Sequence, residues 1–327
     1  MRFPKSYLCL VMMGASAAHA YVPTIWINGT PNNIYTPLCR ASICHEKGKR
    51  SPLNVNAQMD FFALAQWSNF AYGQCQACGV SLQGDMHMNR LLNGIYCQIY
   101  ASALMNHARS YDYLAQRVFY NTLASLTDTH FLLGLNAVHK NRFRCSGYVF
   151  GIIPATRHSL FNSSKIISWV GLDDHFAWGV GIDLFVRVWG KKLHHVDWLA
   201  DTDVTFLTSR KGLAWTKSNG IYQPCHIEIC SSQLYKIRSA LAYQCNYFIS
   251  DIGIQLFCAP DLKYTSIDNL SKKTLEQSTL WASLFCDVGT TIQLCDVPSY
   301  AALGVQGTGR DHGYDSFNAN FKFGINF

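Results

Sequence analysis

Phe317-Asn318-Ala319-Asn320-Phe321-Lys322-Phe323-Gly324-Ile325-Asn326-Phe327 reads with a strict period of two. Its odd positions are Phe, Ala, Phe, Phe, Ile and Phe; its even positions are Asn, Asn, Lys, Gly and Asn. Side chains of a strand point alternately to opposite faces, so one face here is apolar and the other polar. A tilted transmembrane strand takes about 9–11 residues, and this stretch is long enough. A strand in a soluble sandwich also alternates, but an exposed, aromatic edge strand invites aggregation. In a closed barrel such a strand finds a partner on both edges, and its apolar face meets lipid.

The pattern recurs upstream. Ser299 to Gly307 reads as the hairpin partner, joined through the polar, Gly-containing Thr308 to Gly313. Val55, Ala57, Met59, Phe61, Ala63, Ala65 and Trp67 share one face, with Phe62 and Leu64 breaking the polarity of the other. Phe176 to Val188 alternates with Phe185 as its exception, and Val196 to Phe206 with Leu199 as its misfit. Lys191-Lys192 lies between them as a short turn, and Ile237 to Leu256 and Leu280 to Leu294 are further candidate strands. Met86 to Leu123 fits a short helix in a loop or lumen as well as a strand, and periodicity leaves it open.

Residues 1–20 carry the pattern of a secretory signal: Arg2 and Lys5, an apolar run from Leu8 to Ala18, then Ala18-His19-Ala20. That run is too short to span a bilayer, so a cleaved leader is expected and 21–327 forms one barrel domain. No linker, internal repeat or low-complexity tract divides it. Charged residues are 14% and aromatics 13%, and the mean hydropathy is +0.03. No later stretch reaches the ~18 consecutive apolar residues of a membrane helix. Few charges, many aromatics and near-neutral hydropathy suit alternating lipid-facing strands. The expected fold is therefore all-β, a closed antiparallel transmembrane barrel. At roughly 40 residues per hairpin with its loop, the length gives about 14 strands, with 12–16 acceptable.

The net charge of +7 is spread along the chain, with Lys47 to Arg50 and Lys272-Lys273 as solvated loop charges. No basic stripe interleaved with aromatics points to nucleic acid. The overall sign hints at anions as preferred solutes, although charges lining the lumen decide selectivity.

Of 13 cysteines, Cys9 leaves with the leader. An even number remains: Cys39, Cys44, Cys75, Cys78, Cys97, Cys145, Cys225, Cys230, Cys245, Cys258, Cys286 and Cys295. In an exported chain they favour structural or cross-linking disulfides, with pairing not readable from spacing. Cys75-Gln76-Ala77-Cys78 has redox or zinc spacing, but no second well-spaced ligand pair or βαβ context accompanies it. No metal or cofactor is expected.

Asp128-Thr129-His130 and Asp201-Thr202-Asp203 raise a hydrolase reading, in which a carboxylate-oriented His activates water. Omptin-type outer-membrane proteases use such pairs in the opposite chain order. Asp173-Asp174-His175 and Asp311-His312 show how readily the combination recurs. No G-x-S-x-G, H-E-x-x-H or phosphate loop is present. No catalytic residue is assigned.

Asn318-Ala319-Asn320-Phe321-Lys322-Phe323 resembles the N-A-x-F-basic-F ending of chlamydial major outer membrane proteins, although Gly324 to Phe327 extend past that family's usual end. The resemblance covers this motif and the exported, cysteine-rich character. It implies a porin in the outer membrane, with lipid, small hydrophilic solutes, disulfide-linked envelope proteins or other copies of the chain as partners. From the polar strand faces, the candidate pore-lining residues are Asp183, Arg187, Asp197, Asp201, Asn318, Asn320 and Lys322. The competing expectations are a plugged structural barrel, an outer-membrane hydrolase, and a soluble disulfide-rich β protein.

Overall fold

In the computed structural model, residues 55–326 are described, apart from 71–72, 93–94, 113–115, 127–128, 141, 154–175, 192–193, 219–220, 246, 260–261, 267–271, 277–278, 295–296 and 311–313. The expected leader, Cys39, Cys44, Cys295, Asp128, the Asp173-Asp174-His175 run and Asp311-His312 lie outside the described residues.

Among the described residues there are seventeen strands and no helix. They are β1 Val55–Phe70, β2 Gly73–Leu92, β3 Ile95–Asp112, β4 Arg117–Leu126, β5 Thr129–Lys140, β6 Phe143–Ile153, β7 Ala177–Lys191, β8 His194–Leu207, β9 Arg210–Ser218, β10 Ile221–Ile229, β11 Ser232–Cys245, β12 Phe248–Ala259, β13 Leu262–Ser266, β14 Lys272–Glu276, β15 Thr279–Leu294, β16 Val297–Arg310 and β17 Tyr314–Asn326. Thirteen belong to one antiparallel sheet in the order β2-β1-β17-β16-β15-β12-β11-β8-β7-β6-β5-β3-β4, and β2 also pairs with β3. The strand that decided the fold, β17, is flanked by β16 on one edge and by β1 on the other, with Phe61 opposite Phe323 and Trp67 opposite Phe317.

Met86 to Leu123, open between helix and strand on periodicity, is strand: it spans parts of β2, β3 and β4. The long β2–β3 ladder supplies the tertiary pairing that settles it. β4 and β5 lie end to end along β3, with Leu126 opposite Ala103 and His130 opposite Tyr100. Ile237 to Leu256 is not one strand but the hairpin β11–β12. Lys191 ends β7 at the expected turn, where Gly190 takes φ +96°. A Cβ there would run into the backbone of His194, so glycine suits the position. Four short strands, β9, β10, β13 and β14, form a separate sheet inside the β8–β11 and β12–β15 connections.

The connections β2–β3, β5–β6, β7–β8, β11–β12 and β15–β16, at one end of the sheet, are each two residues long; at the other end β1–β2 and β16–β17 are short as well, and only the segments after β6, β8 and β12 are long. Short turns at one end and long loops at the other are the habit of outer-membrane barrels.

The two faces of the sheet are inverted relative to a soluble protein. In β8, His195, Asp197, Asp201 and Asp203 are buried while Trp198 is exposed. Val180, Ile182, Ile237, Leu241, Ile252, Ile254, Leu284 and Leu303 are all exposed. So large a contiguous apolar surface demands a partner, and lipid satisfies it around a sheet whose backbone groups are already paired. Exposed aromatics gather near strand ends: Trp67, Trp178, Tyr235 and Phe317 towards the long-loop end, Phe143, Trp189, Tyr243 and Phe248 towards the tight turns. Trp178 stacks on Phe206 with centroids 4.4 Å apart. Two such girdles mark the two membrane interfaces.

Candidate functional site: the polar inner wall

β8 and β11 carry the densest charge. They run antiparallel with Asp201 opposite Arg238 and Asp203 opposite Lys236. The Arg238 Nε donates to Asp201, and the Lys236 ammonium binds Asp203 and reaches Asp201 at 3.7 Å. Side-chain exposure is 0% for Arg238 and 2% for Lys236, so these are fully desolvated pairs. On the next strand pair, Arg187 of β7 binds Asp197 of β8 through Nε at 2.9 Å and through a second nitrogen at 3.3 Å. His195 Nε2 lies 3.3 Å from the same carboxylate.

Asp183 is buried and stands opposite Asp201 in the β7–β8 register. Asp251 of β12 stands opposite Asp287 of β15, both buried. Neutral polar contacts complete the wall: Ser146 donates to Asn136 at 2.8 Å, and the Ser283 and Thr308 hydroxyls are 2.8 Å apart.

Phe185 and Leu199, the exceptions to alternation, prove informative. Both face inward and pack with Ala240 and Phe285 into an apolar cluster. Arg144 and Arg187 sit over the Phe185 ring, 5.0 and 5.8 Å from its centroid, a cation–π arrangement that anchors both guanidinium groups to the wall. Glycines make room for inward rings: Gly181 lies under Tyr148, Gly179 under Phe150 and Gly253 under Phe285.

Of the expected pore-lining residues, Asp183, Arg187, Asp197 and Asp201 come together on this wall. Asn318, Asn320 and Lys322 alternate in β17 with the outer Phe317 and Phe321, but their side chains lie outside the described residues. Sequence reading missed Arg144, Lys236, Arg238, Asp251 and Asp287, and it weighed Asp203 only as part of a hydrolase pair. The signal was present in Lys236 and Arg238, which alternate with Tyr235 and Ile237.

The expectation of disulfides finds no support within the described part of the chain. No disulfide joins any two of the described cysteines. Cys78, Cys97, Cys145, Cys245, Cys258 and Cys286 are free thiols, and Cys230 is half-buried. The six free thiols sit on separate strands, in phase with outward residues such as Leu133, Ile252 and Leu284. Their register partners are Ala65 and His107, Met88 and Leu133, Val138 and Leu184, His194 and Phe248, Tyr235 and Leu280, and Ile252 and Val305. None of these is a cysteine, so the ladder leaves each thiol to serve as a small apolar group on the outer wall. Cys75 and Cys225 lie in β2 and β10, with side chains outside the described residues.

An outer membrane channel from Pseudomonas putida F1 is similar to this chain with a TM-score of 0.52 at 10% identity, over 85% of this chain and 97% of the other. The fold is that of an outer-membrane β-barrel. Looser likenesses are the Pseudomonas putida toluene transporter TodX (TM-score 0.44, 10% identity, 83% of this chain and 88% of that one) and the translocator domain of the autotransporter NalP from Neisseria meningitidis (0.41, 9%, 86% and 90%). No family model and no curated protein matches the chain. The apolar outer wall with its two aromatic girdles accords with residence of this barrel in the outer membrane.

Proposed function

We propose that the protein is a porin-type channel, a closed barrel that lets small hydrophilic solutes diffuse passively through its interior. The observation that carries the reading is the inversion of the sheet, with aspartates, arginines and a lysine buried inside and Val, Ile, Leu and Trp outside. Twelve strands take part in the ring we infer, because β2 pairs with β3 as well as with β1, and β4 continues β5 along β3. An eight-stranded barrel is just filled by its own side chains, so a ring of twelve has room for solutes. The likeness of the C-terminal motif to chlamydial porins agrees with this reading. Asp201 and Asp203 are each held by a cation, which argues against their activating water as an omptin-type pair.

Single-channel recording of the protein purified from membranes and inserted into planar bilayers tests the proposal. Discrete ohmic steps are expected. Stable insertion without current would instead favour a structural barrel with a blocked interior. One observation leans towards that second reading: Lys236 and Arg238 are fully desolvated, so the passage beside β8 and β11 is narrow or filled.

A further inference from the structure

We infer that the outer wall binds an anionic, phosphate-bearing lipid headgroup at the long-loop end of β2, β3 and β4, with Arg109 as the cation that holds it. The inference goes beyond the channel reading and does not depend on whether the barrel conducts. It starts from the phase of β3. His107 and Arg109 are exposed, as are Cys78 and Gln76, their register partners on β2. Descending in the same phase, β3 carries Met105, Ala103, Ala101, Ile99, Cys97 and Ile95. This face of β3 is therefore apolar up to Met105, and a basic pair follows directly beyond it.

The level of Arg109 is that of a headgroup. β3 leaves its tight turn at Ile95, and β7 reaches its own at Lys191. Arg109 stands about as many residues from Ile95 as Trp178 does from Lys191. Strands of one barrel share a tilt, so equal counts give similar heights. Trp178 belongs to the aromatic girdle at the long-loop end, and Tyr120, the register partner of Arg109 on β4, is 64% exposed. A guanidinium in such a belt lies where lipid phosphates are, while its stem can stay along the apolar wall.

Arg109 makes no ion pair or hydrogen bond with any described residue. Its neighbours offer it no anion. Gln76 and Tyr120 flank it in register, and His107 stacks on Tyr120 with centroids 6.4 Å apart. At positions in phase with Arg109, β2, β3 and β4 carry no aspartate or glutamate. The guanidinium is a planar fork of N–H donors that matches two phosphate oxygens. The Tyr120 hydroxyl and the Gln76 amide are further donors for the same group. A phosphate brings the complementary charge, and in this layer of the membrane the lipid headgroup supplies it.

The test is native mass spectrometry of the membrane-purified protein in detergent, titrated with phosphatidylglycerol or with phosphatidylcholine of the same acyl chains. Phosphatidylglycerol should bind several-fold more tightly, because the choline cation neutralises its own phosphate. Arg109→Gln should remove most of that preference. Arg109→Lys should keep part of it, since lysine retains the charge and loses the fork. Arg142→Gln, which removes an exposed cation at the tight-turn end, should leave the preference unchanged. Equal affinity of the parent protein for the two lipids overturns the inference without needing any variant to fold. So does a preference that Arg109→Gln does not move, or one that Arg142→Gln lowers as much. Displacement of the bound lipid by inorganic phosphate at the same concentration would make a free anion the occupant and overturn it too.

Discussion

Arg238 of β11 holds the carboxylate of Asp201, its register partner on β8, with side-chain exposures of 0% and 8%. Neither group can recover its lost hydration, so the pair must be judged as a unit. Breaking a buried pair from one side leaves a charge without compensation and costs about 3–5 kcal/mol. Arg238→Met should therefore destabilise the barrel by about that much. Arg238→Met/Asp201→Leu should cost far less than the two single changes added together, with a coupling of about 1–3 kcal/mol. Urea unfolding from lipid vesicles, followed by tryptophan fluorescence, reads both. Additive single effects would mean that the pair contributes nothing as a pair.

Leu284 on β15 is 66% exposed and Leu280, near the strand's start, is 51% exposed. In water, replacing either by arginine would be nearly neutral. In a bilayer the cost depends on depth: about 2–4 kcal/mol near the midplane and about 0–1 at the interface. Leu284→Arg should thus impair folding into vesicles much more than Leu280→Arg. Equal and small effects would show that this face does not meet lipid.

Gly253 of β12 faces the ring of Phe285. A Cβ there would strike the ring tip, lie 2.5 Å from the Ser239 carbonyl oxygen and 2.8 Å from the Ala240 Cβ. The carbonyl belongs to the backbone and cannot yield, so Gly253→Val should cost about 1–3 kcal/mol by overpacking. Gly307 on β16 has nothing within 4 Å of the corresponding position. Gly307→Ala should stay within about 0.5 kcal/mol of the parent protein. Similar losses in both variants, measured in the same vesicle assay, would refute the ring-over-glycine packing.

How far the sequence could be read follows from the physics of each signal. Alternation in β1, β7, β8, β16 and β17 was legible because a strand wedged between lipid and a polar interior must change character at every residue. Asp183, Arg187, Asp197 and Asp201 followed from the same rule. Phe185 and Leu199 looked like errors in the pattern because periodicity registers a face and not its neighbours. Only the register across β7, β8, β11 and β15 shows that they pack on Ala240 and Phe285. Met86 to Leu123 stayed open because its apolar residues fit both periods, and pairing with adjacent strands decided it.

The cysteines teach the converse. An even count in an exported chain suggested disulfides, but a thiol needs a second thiol opposite it, and that depends on register. The six free strand cysteines face alanine, valine, leucine, isoleucine, methionine, aromatic or histidine partners.

By itself, then, the sequence determined that this chain is all-β and that one side of its strands is apolar. Period-two alternation is a property of the residues and survives without any knowledge of partners. The tertiary structure alone decided which charges stand together: Arg238 on Asp201, Lys236 on Asp203, Asp251 across from Asp287. Residues tens of positions apart become neighbours only through register, and one residue of slip would turn every one of these side chains to the other face.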